Sequence, residues 1–489
     1  MNIYNKFQDI ARLQRSKTAI ISESIYINYE KLLDKIDEFA EILLKLLPDF
    51  RTKRLGLFTN NEIDDVALLF AAAKINFQIL TINPTLKRNE IDILLGETGV
   101  NNLIISPQIQ QEFSDFSKIG VIGNKLIITR LRNSEFERQE NNDPSFLITA
   151  SSGSTGTPKP IVFSQEIKLL RMEQSKNLYY ISENDNILNA SAIYHSLGQR
   201  LTFLPLLNGA KLTLMNNYSS KKWINTVIEQ KITFTIAVST HLHGVSDFLT
   251  SESVKNTALT RLVSSSAAIS KDTKKSLYES SSFDFYEQYG ASEIATVSNC
   301  SKSSYFEDNN SVGKICDGIQ VSINSKEYET SNYGEIQVKS PLAFLGYMKK
   351  GKLEKFEKNS WFDTNDLGNI NNGHLYFFGR LKDVINCGGQ NIFPKDIENY
   401  LLSNQNILEC AVLGIENEYF GQIPIAFLVV NDKNIFGKRE VNSWAVSNIP
   451  RFQLPHKYIF LENLPKLGSG KIDSIKLKAK YYEVLEAHE

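Results

Sequence analysis

A segment rich in serine, threonine and glycine, from Ser151 to Pro160, lies between two short apolar stretches of the sequence. Glycine lets backbone N–H groups approach an anion closely, and neighbouring hydroxyls and a lysine add hydrogen-bond donors and positive charge. This combination is suited to binding a polyphosphate. The residues predicted to contact the phosphates are Ser151, Ser152, Gly153, Ser154, Thr155, Gly156 and Lys159.

The spacing of the glycines separates this segment from a Walker loop, in which four residues lie between two glycines and Gly-Lys-Ser/Thr opens a helix. Here Gly153 and Gly156 are three positions apart, and Pro158 precedes Lys159. A solvent-exposed linker of serine, threonine and glycine has a similar composition. The choice between an anion-binding loop and a linker therefore depends on the rest of the chain.

Two clusters in the middle of the chain have the chemistry to hold a nucleotide. Tyr289 and Gly290 follow an apolar stretch, where an aromatic ring can cover a purine, and the Glu293 carboxylate is suited to Mg²⁺. Another apolar stretch ends in small residues, which would let a flat ring lie against the backbone. These small residues are Ser266, Ala267 and Ala268. An ordinary surface loop is the alternative interpretation of each cluster.

Two clusters nearer the C-terminus add polar groups. The carboxylate of Asp366 can accept hydrogen bonds from the vicinal hydroxyls of a ribose, and Arg380 can contact the ribose or a phosphate. Lys471 follows a Gly-Ser-Gly turn, which gives the chain freedom to move at this point. Taken singly, a turn aspartate and an exposed lysine near the chain end are the alternatives.

The composition of the 489-residue chain is typical of a globular protein, with 42% hydrophobic and 22% charged residues. The formal net charge is -1 and there is no basic tail, so we expect no nucleic-acid partner. Four cysteines without metal-site spacing are too few for a disulfide framework. No apolar signal segment or membrane-spanning stretch is visible, which predicts a cytoplasmic protein without a stable membrane anchor.

Helical and strand-like patterns alternate along the first part of the chain and predict an α/β fold of layered sheets. Apolar residues recur with helical spacing from Tyr29 to Leu47, and the apolar stretch Gln78–Ile82 has the length of a buried strand. Short strands and turns between Ile319 and Val338 predict a β-rich subdomain. Beyond Leu381 the pattern predicts short strands and two helices.

These patterns predict two domains. Residues 1–380 would form a large N-terminal domain of layered α/β sheets with the β-rich subdomain, and residues 381–489 a small, mobile α+β domain. The two helices of the small domain are expected over Asp396–Leu402 and Arg439–Val446.

In this order, the clusters resemble the motifs of the adenylate-forming (ANL) superfamily, in its acyl- and aryl-CoA ligase or acyl-AMP ligase branch. The resemblance spans Tyr29 to Lys471, and five ordered motifs at suitable separations argue against coincidence. It implies ATP-dependent conversion of a carboxylic acid to an acyl-adenylate, release of pyrophosphate and transfer to a thiol. The acceptor would be coenzyme A or the phosphopantetheine of a carrier protein, with ATP and Mg²⁺ as cofactors.

The resemblance also implies roles for single residues. The phosphate-binding segment would hold the β- and γ-phosphates, Thr155 and Glu293 would bind Mg²⁺, and Lys471 would bridge the substrate carboxylate and the α-phosphate. Lys382 would be the hinge about which the C-terminal domain rotates. The predicted catalytic residues are Lys471, Glu293, Thr155 and His195.

The adenosine part of ATP would lie among residues from three clusters. Asp366 resembles the ribose ligand of the family, and Arg380 resembles its neighbour at the domain boundary. The residues implied on the adenine side are Ser266, Ala267, Ala268, Tyr289, Gly290 and Ser292. After rotation of the C-terminal domain, Gly388 and Gly389 would line the path of the thiol.

The acid pocket is implied by the pair Tyr194-His195, which falls where this family binds the substrate carboxylate. Amino-acid-activating relatives usually carry an aspartate near this point, and none occurs between Ile193 and Leu207, which favours a simple carboxylic acid. The implied pocket residues are Tyr194, His195, Leu197, Gly198, Phe234, Val238 and His241. A polar residue of the core is the alternative interpretation of His195.

Two positions depart from the family pattern. Asn365 replaces the usual glycine before Asp366, and Ser292 replaces the usual threonine before Glu293. The alternatives to an acid–thiol ligase are an amino-acid adenylating enzyme, a luciferase-like oxygenase and a catalytically silent nucleotide-binding protein.

Overall fold

The structure of the protein is a computed structural model. It describes residues 2–48, 53–58, 60–123, 126–131, 143–151, 159–266, 269, 271–325, 333–432, 435–466 and 472–486. Within these ranges, strands form three β-sheets of thirteen, nine and five strands. No helix in the same ranges has the length and apolar character needed to cross a membrane.

The elements follow one another in four stretches. Up to residue 131 they are α1 (Ile3–Leu13), β1 (Thr18–Ser22), β2 (Ile25–Asn28), α2 (Tyr29–Leu46), β3 (Arg54–Phe58), α3 (Ile63–Ile75), β4 (Gln78–Ile82), α4 (Arg88–Thr98), β5 (Asn102–Ile105), β6 (Phe116–Ile122) and β7 (Leu126–Leu131). From residue 145 to 315 they are β8 (Ser145–Ser151), β9 (Lys159–Ser164), α5 (Gln165–Tyr179), β10 (Asn186–Asn189), α6 (Ser196–Leu206), β11 (Lys211–Leu214), α7 (Ser220–Glu229), β12 (Phe234–Val238), α8 (Ser239–Gly244), α9 (Ser246–Leu249), β13 (Arg261–Ser265), α10 (Lys271–Ser280), β14 (Asp284–Ala291), β15 (Ala295–Cys300), α11 (Lys302–Glu307) and β16 (Lys314–Ile315). From residue 320 to 380 they are β17 (Gln320–Asn324), β18 (Gly334–Lys339), β19 (Gly346–Lys349), β20 (Lys352–Lys355), β21 (Phe362–Asn371) and β22 (His374–Arg380). The last stretch comprises β23 (Ile385–Cys387), β24 (Gln390–Ile392), α12 (Pro394–Leu402), β25 (Ile407–Asn417), β26 (Gly421–Val430), α13 (Lys438–Asn448), β27 (Lys457–Phe460) and α14 (Ser474–Glu486).

Helices α2 and α3 illustrate how the apolar pattern determines burial. In α2 the buried residues recur mostly three or four positions apart, so the helix presents one apolar stripe. The Asn28 side chain caps α2 by accepting a hydrogen bond from the Lys31 N–H at 2.9 Å. In α3 every residue from Val66 to Ala73 is buried, and a helix that is apolar on all sides has to be enclosed by other elements.

The sheets of thirteen and nine strands share a core with α3 and α6. One core cluster contains residues of both sheets, such as Ile79 and Val263, together with residues of α3 and α6. Strands β11, β10, β12, β13 and β14 run parallel in the larger sheet. Strands β5, β3, β4 and β8 run parallel in the other. The carboxyl ends of parallel strands share one edge of a sheet, which is where ligands bind in such folds.

The C-terminal domain has a sheet of its own. Its strands are ordered β24-β23-β26-β25, with β27 paired to β26. One cluster below this sheet includes α12 and α13, and a second includes Leu477 and Tyr481 of α14. Only two helices were predicted in this domain. Helix α14 was missed because, among its residues whose burial the structure describes, only Leu477 and Tyr481 are buried. The boundary between residues 380 and 381 stays a prediction.

Three aromatic rings meet where the two domains touch. Tyr333 precedes β18 and Phe378 lies in β22, whereas Phe393 immediately precedes α12 of the C-terminal domain. The ring centroid of Phe393 lies 5.0 Å from that of Tyr333 and 6.4 Å from that of Phe378. Tyr333 and Phe378 are 6.1 Å apart, so each ring contacts the other two.

Helix α6 packs closely against the chain that follows β10. A Cβ atom on Gly198, in the first turn of α6, would lie 2.1 Å from the Ala192 oxygen. The Asn189 side chain donates to the Gly198 oxygen at 2.9 Å and fastens the same contact. Because its Cα faces the Ala192 backbone, Gly198 has a packing role, and its place in the acid pocket stays a prediction.

We expect Gly198→Ala to destabilise the protein by about 1–3 kcal/mol, because the new methyl group has to push the Ala192 backbone away. Gly96→Ala is the matched control. Gly96 lies in α4, and an added Cβ would meet no neighbouring atom within 4 Å. Alanine in a helix is favoured over glycine by about 0.5–1 kcal/mol, so this control should raise the melting temperature. Thermal unfolding distinguishes the two, and equal melting temperatures would contradict the packing role.

Candidate active site

Three residues from two sequence clusters meet at one carboxylate. Asp366 of β21 is 5% exposed and lies opposite Arg380 of β22 in the antiparallel register. The Tyr289 hydroxyl donates to Asp366 Oδ2 at 2.7 Å, and Arg380 Nε lies 2.9 Å from Oδ1. The fold therefore brings together a predicted adenine contact and both predicted ribose contacts, although Tyr289 and Asp366 are 77 positions apart.

Tyr289 lies within a strand rather than in a loop beyond a strand end. β14 continues to Ala291, in antiparallel pairing with β15. Burial and the nearby Asp366 carboxylate raise the pKa of Tyr289 well above its usual value. The hydroxyl therefore keeps its proton and acts as the donor to Asp366. Gly290 lies next to it, where a Cβ would be 2.0 Å from the Ala295 oxygen, so the close pairing of β14 and β15 requires a glycine.

The departure from the family pattern at Asn365 fits the local backbone. Asn365 has a φ of +56°, a left-handed conformation that glycine adopts freely and asparagine more readily than most residues. Its N–H donates to Glu335 Oε1 at 3.2 Å, and the Asp366 N–H donates to Thr364 Oγ1 at 3.1 Å. Asparagine is thus compatible with the irregular strand backbone that directs the Asp366 side chain.

Glu293 lies in the turn between β14 and β15, and both its side chain and its backbone are held. Its carboxylate Oε1 accepts a hydrogen bond from the Tyr347 hydroxyl at 3.0 Å. Its backbone oxygen accepts from Arg171 Nη2 at 2.8 Å and from the Phe344 N–H at 2.7 Å. The backbone oxygen of Ser292 accepts from Arg171 Nη1 at 2.8 Å. Groups outside the turn therefore fix its backbone.

A single carboxylate suits Mg²⁺ that arrives with a nucleotide. Mg²⁺ usually takes one or two protein carboxylates and completes its shell with phosphate oxygens and water. Among the residues that the structure describes, no group of three or more His, Cys, Asp or Glu side chains could hold a metal ion. Glu293 therefore fits a cation shared with ATP better than a resident metal. Thr155, the second predicted ligand, lies outside the described residues.

The predicted phosphate-binding segment joins two antiparallel strands. β8 ends at Ser151 and β9 begins at Lys159, and these two residues pair with each other. Because β8 runs parallel to β4, its end lies at the carboxyl edge of the nine-stranded sheet. Ser266, predicted beside adenine, follows β13 and has a φ of +81°. The other predicted residues of both segments lie outside the described residues: Ser152, Gly153, Ser154, Thr155, Gly156, Ala267 and Ala268.

Two pairs of rings lie just beyond β10 and β12. Tyr194 and His195 follow β10, and their ring centroids are 4.6 Å apart in an edge-to-face arrangement. His241 lies in α8, directly after β12, and stacks on Tyr218 with centroids 3.6 Å apart and 7° between the ring planes. Burial lowers the pKa of His241 to about 4, so this ring is neutral at pH 7. The region therefore presents aromatic surfaces, and the His241 ring among them is neutral.

The remaining predicted pocket residues separate into two groups. Leu197 and Val238 are partly exposed and lie near the same strand ends. Phe234 lies at the opposite end of β12, is fully buried and packs against Tyr179 with ring centroids 5.5 Å apart. At about 3.3 Å per strand residue, Phe234 is about 13 Å from Val238, so it belongs to the core and not to the predicted pocket. Tyr218 was missed because no local pattern marks it.

A network of buried polar groups on α5 and α6 was not predicted from the sequence. Lys168, which is 2% exposed, donates to Gln199 Oε1 at 2.7 Å, and burial lowers its pKa well below the usual value. Gln199 Nε2 donates to Thr149 Oγ1 of β8 at 2.9 Å. Arg200 Nη1 donates to Gln288 Oε1 of β14 at 2.9 Å. The network connects the strand before the phosphate-binding segment with the strand that carries Tyr289.

The predicted hinge and thiol-side residues lie just beyond β22. Lys382 is exposed and lies in a short 3-10 helix, Leu381–Asp383. Gly388 and Gly389 form the turn between β23 and β24, with φ angles of +59° and +81° that favour glycine. A Cβ on Gly389 would meet no described atom within 4 Å, so this turn has an open side. Lys471 lies outside the described residues.

Two regions of the chain match known protein families. Residues 7–348 match the AMP-binding enzyme family, and residues 396–471 match the AMP-binding enzyme C-terminal domain. The chain belongs to the AMP-binding enzyme family. This result confirms the family predicted from the order of the motifs.

Relatives of this AMP-binding enzyme include ligases for different acids. The 2-succinylbenzoate–CoA ligase of Lactococcus lactis subsp. lactis is 24% identical over 455 residues, which cover 92% of this chain and 95% of the relative. The long-chain-fatty-acid–CoA ligase FadD13 of Mycobacterium tuberculosis is 23% identical over 477 residues, or 94% of each chain. The crystal structure of ATP-bound MatB from Rhodopseudomonas palustris has a TM-score of 0.84 at 21% identity and covers 99% of this chain and 100% of that chain. The predicted fold class and ligase class are thereby confirmed.

The half-buried His241 of this AMP-binding enzyme predicts a pH dependence of stability. Its pKa is lowered from 6.5 to about 4 in the folded protein, so the unfolded chain binds the proton more readily. This contribution to stability is present above about pH 6.5 and is lost as the pH falls towards 4. The difference in melting temperature between wild type and His241→Gln should therefore shrink from pH 7 to pH 5. A difference that stays constant over this range would contradict the burial of a neutral ring.

Proposed function

We propose that this protein activates a carboxylic acid as an acyl-adenylate and then transfers the acyl group to the thiol of coenzyme A at the same site. The observation that carries the proposal is the meeting of Tyr289, Asp366 and Arg380 at one buried carboxylate. The relatives named as CoA ligases support the same reaction. The phosphopantetheine of a carrier protein is the alternative thiol.

In this proposal, Asp366 accepts hydrogen bonds from the ribose hydroxyls and Tyr289 covers the adenine. Each oxygen of the Asp366 carboxylate lies within hydrogen-bonding distance of a donor, Tyr289 or Arg380. These donors fix the orientation in which the carboxylate would accept from the two vicinal hydroxyls of a ribose. Arg380, which is positively charged, would face the ribose or the phosphates. Glu293 and Thr155 would hold Mg²⁺, which neutralises phosphate charge when it is bound.

The first chemical step joins two anions. A carboxylate oxygen of the acid attacks the α-phosphorus of ATP, the bond from this phosphorus to the bridging oxygen breaks, and pyrophosphate leaves. The carboxylate needs no general base because it carries no proton to remove at pH 7. Positioning and positive charge have to supply most of the acceleration. Lys471 is the side chain that we assign to the developing charge on the carboxylate and α-phosphate.

The second step breaks the mixed anhydride. The thiol sulfur attacks the acyl carbonyl carbon, the carbon–oxygen bond to AMP breaks, and the thiol proton passes to solvent. We propose that the C-terminal domain rotates about Lys382 between the two steps. Rotation would withdraw Lys471 and bring the Gly388-Gly389 turn to the site, where the open side of this turn leaves room for the thiol chain.

The surroundings of the ring pairs favour an acid without a positively charged group. The Tyr194–His195 pair and the stacked His241 and Tyr218 provide aromatic surfaces, and His241 is neutral at pH 7. The sequence between Ile193 and Leu207 has no aspartate to bind an ammonium group. Because the relatives are named for an aryl acid and for long-chain fatty acids, the choice between these classes needs a direct measurement.

The test is pyrophosphate release with Mg²⁺-ATP across aryl acids, short to long fatty acids and amino acids, with and without coenzyme A. We expect release with an aryl or fatty acid and faster turnover with coenzyme A. Release that coenzyme A does not accelerate would indicate a carrier protein as the acceptor. A response to amino acids alone would contradict the proposed substrate class, and no release with any acid would contradict the ligase activity.

Asp366→Asn should raise the KM for ATP at least about tenfold, because a hydrogen bond to a charged acceptor contributes about 1.5–3 kcal/mol. The KM for the acid should change little. Asp363→Asn is the matched control, since Asp363 lies in the same strand but is exposed and accepts from Gln337 Nε2 at 2.7 Å. Steady-state kinetics for both substrates measure the effect. An equal change in both variants would argue against a ribose contact at Asp366.

A further inference from the structure

Arg171 is a buried cation for which the proposed reaction gives no role. It lies in α5 and is 3% exposed. Its hydrogen bonds go to backbone oxygens, since Nη1 donates to Ser292 at 2.8 Å and Nη2 donates to Glu293 at 2.8 Å. Nε and Nη2 also donate to the Leu342 oxygen at 2.9 Å and 2.8 Å. One guanidinium therefore joins the β14–β15 turn to the segment that precedes β19.

Burying this charge is costly. Burial, together with the neighbouring Arg200, lowers the pKa of Arg171 to about 9. The Phe163 ring, 4.4 Å from the guanidinium carbon, compensates in part through a cation–π contact. A buried charge held by carbonyl groups is a poor source of stability, because an apolar side chain of similar volume would fill the space without the desolvation cost. The position of the bonded carbonyls gives a more specific reason for the arginine.

The two segments that Arg171 joins are those that hold the Glu293 carboxylate. Tyr347 follows the second segment in β19, and its hydroxyl donates to Glu293 Oε1 at 3.0 Å. Phe344, in the same segment, donates its N–H to the Glu293 oxygen at 2.7 Å. The rigid fork of a guanidinium can reach three carbonyl groups at once, whereas a lysine ammonium is a single point with a flexible stem. Arg171 thus fixes the backbone of both segments that hold the Glu293 carboxylate.

Along the chain, the helix that carries Arg171 also follows the phosphate-binding segment. α5 begins directly after β9, and β9 is the strand that leaves this segment. Arg171 therefore links the strand beyond the phosphates to the turn that carries Glu293. Since Mg²⁺ is shared between a carboxylate and phosphate oxygens, the distance between these two parts determines how well both are used.

We propose that Arg171 is a positioning residue for Glu293 and thereby sets the affinity for a complex of a divalent cation with a nucleoside triphosphate. The inference rests on the proposed role of Glu293. Arg171 acts through the backbone of Ser292 and Glu293, to which its guanidinium donates.

The test compares the two half-reactions in Arg171→Lys. The first is pyrophosphate release at varied Mg²⁺-ATP, and the second is thioester formation from synthetic acyl-adenylate and coenzyme A, which needs neither ATP nor Mg²⁺. We expect the KM for Mg²⁺-ATP to rise about tenfold, while the second half-reaction stays within about twofold of wild type. An unchanged KM, or equal losses in both half-reactions, would overturn the inference.

Arg261→Lys is the matched control. Arg261 also donates to backbone oxygens, those of Tyr179 and Tyr180 at 2.8 Å each, but it lies at the amino end of β13 and forms an ion pair with Asp185. This variant should lower the melting temperature and leave the KM for Mg²⁺-ATP unchanged. If Arg171→Lys does not fold, Arg171→Gln replaces it, because a neutral amide costs less to bury and donates to fewer carbonyls.

Glu293→Gln separates the inference from the proposed function. If Glu293→Gln leaves the KM for Mg²⁺-ATP unchanged in an active enzyme, the proposed role of Glu293 fails, and the inference about Arg171 fails with it. If Glu293→Gln raises this KM and Arg171→Lys does not, only the inference fails. In the double variant we expect no further increase from Arg171→Lys, because the arginine acts through a carboxylate that is then absent.

Discussion

The enclosure of α3 and α6 between two sheets is the constraint on which the rest of the structure depends. A helix between two sheets has no side that faces water, so α3 is apolar from Val66 to Ala73. Where α6 carries polar side chains, each has to find a partner inside the protein. Gln199 and Arg200 therefore bond to Thr149 and Gln288, which belong to different sheets. These hydrogen bonds from α6 to both sheets fix the position of one sheet relative to the other.

The sequence predicted the parts whose pattern is local. α2 and β4 appear within one residue of their predicted limits, because apolar periodicity reflects burial directly. Tyr289, Asp366 and Arg380 could be chosen because each lies in a recognisable motif. Arg171 could not, because helical spacing alone does not distinguish a buried arginine that binds carbonyl groups from one that faces solvent. Partners such as its backbone acceptors come from distant segments, and only the folded chain brings them together.

The Asp366–Arg380 ion pair places the proposed nucleotide site next to the proposed hinge. Arg380 ends β22, and Lys382 follows two positions later. A ribose bound at Asp366 would share the carboxylate with Arg380. Because Arg380 is only two residues from Lys382, binding of the nucleotide would be felt at the start of the C-terminal domain. This connection needs no long pathway of packed side chains, because β22 both carries Arg380 of the proposed nucleotide site and is the last strand before the C-terminal domain.

The three rings at the domain contact have a kinetic consequence. The proposed rotation of the C-terminal domain would move Phe393 away from Tyr333 and Phe378 and expose aromatic surface to water. Each such ring pair contributes about 0.5–1.5 kcal/mol beyond its buried area, so the two contacts of Phe393 would favour the arrangement seen here by about five- to 150-fold. The time between the two proposed chemical steps would then depend partly on the exposure of this aromatic contact to water.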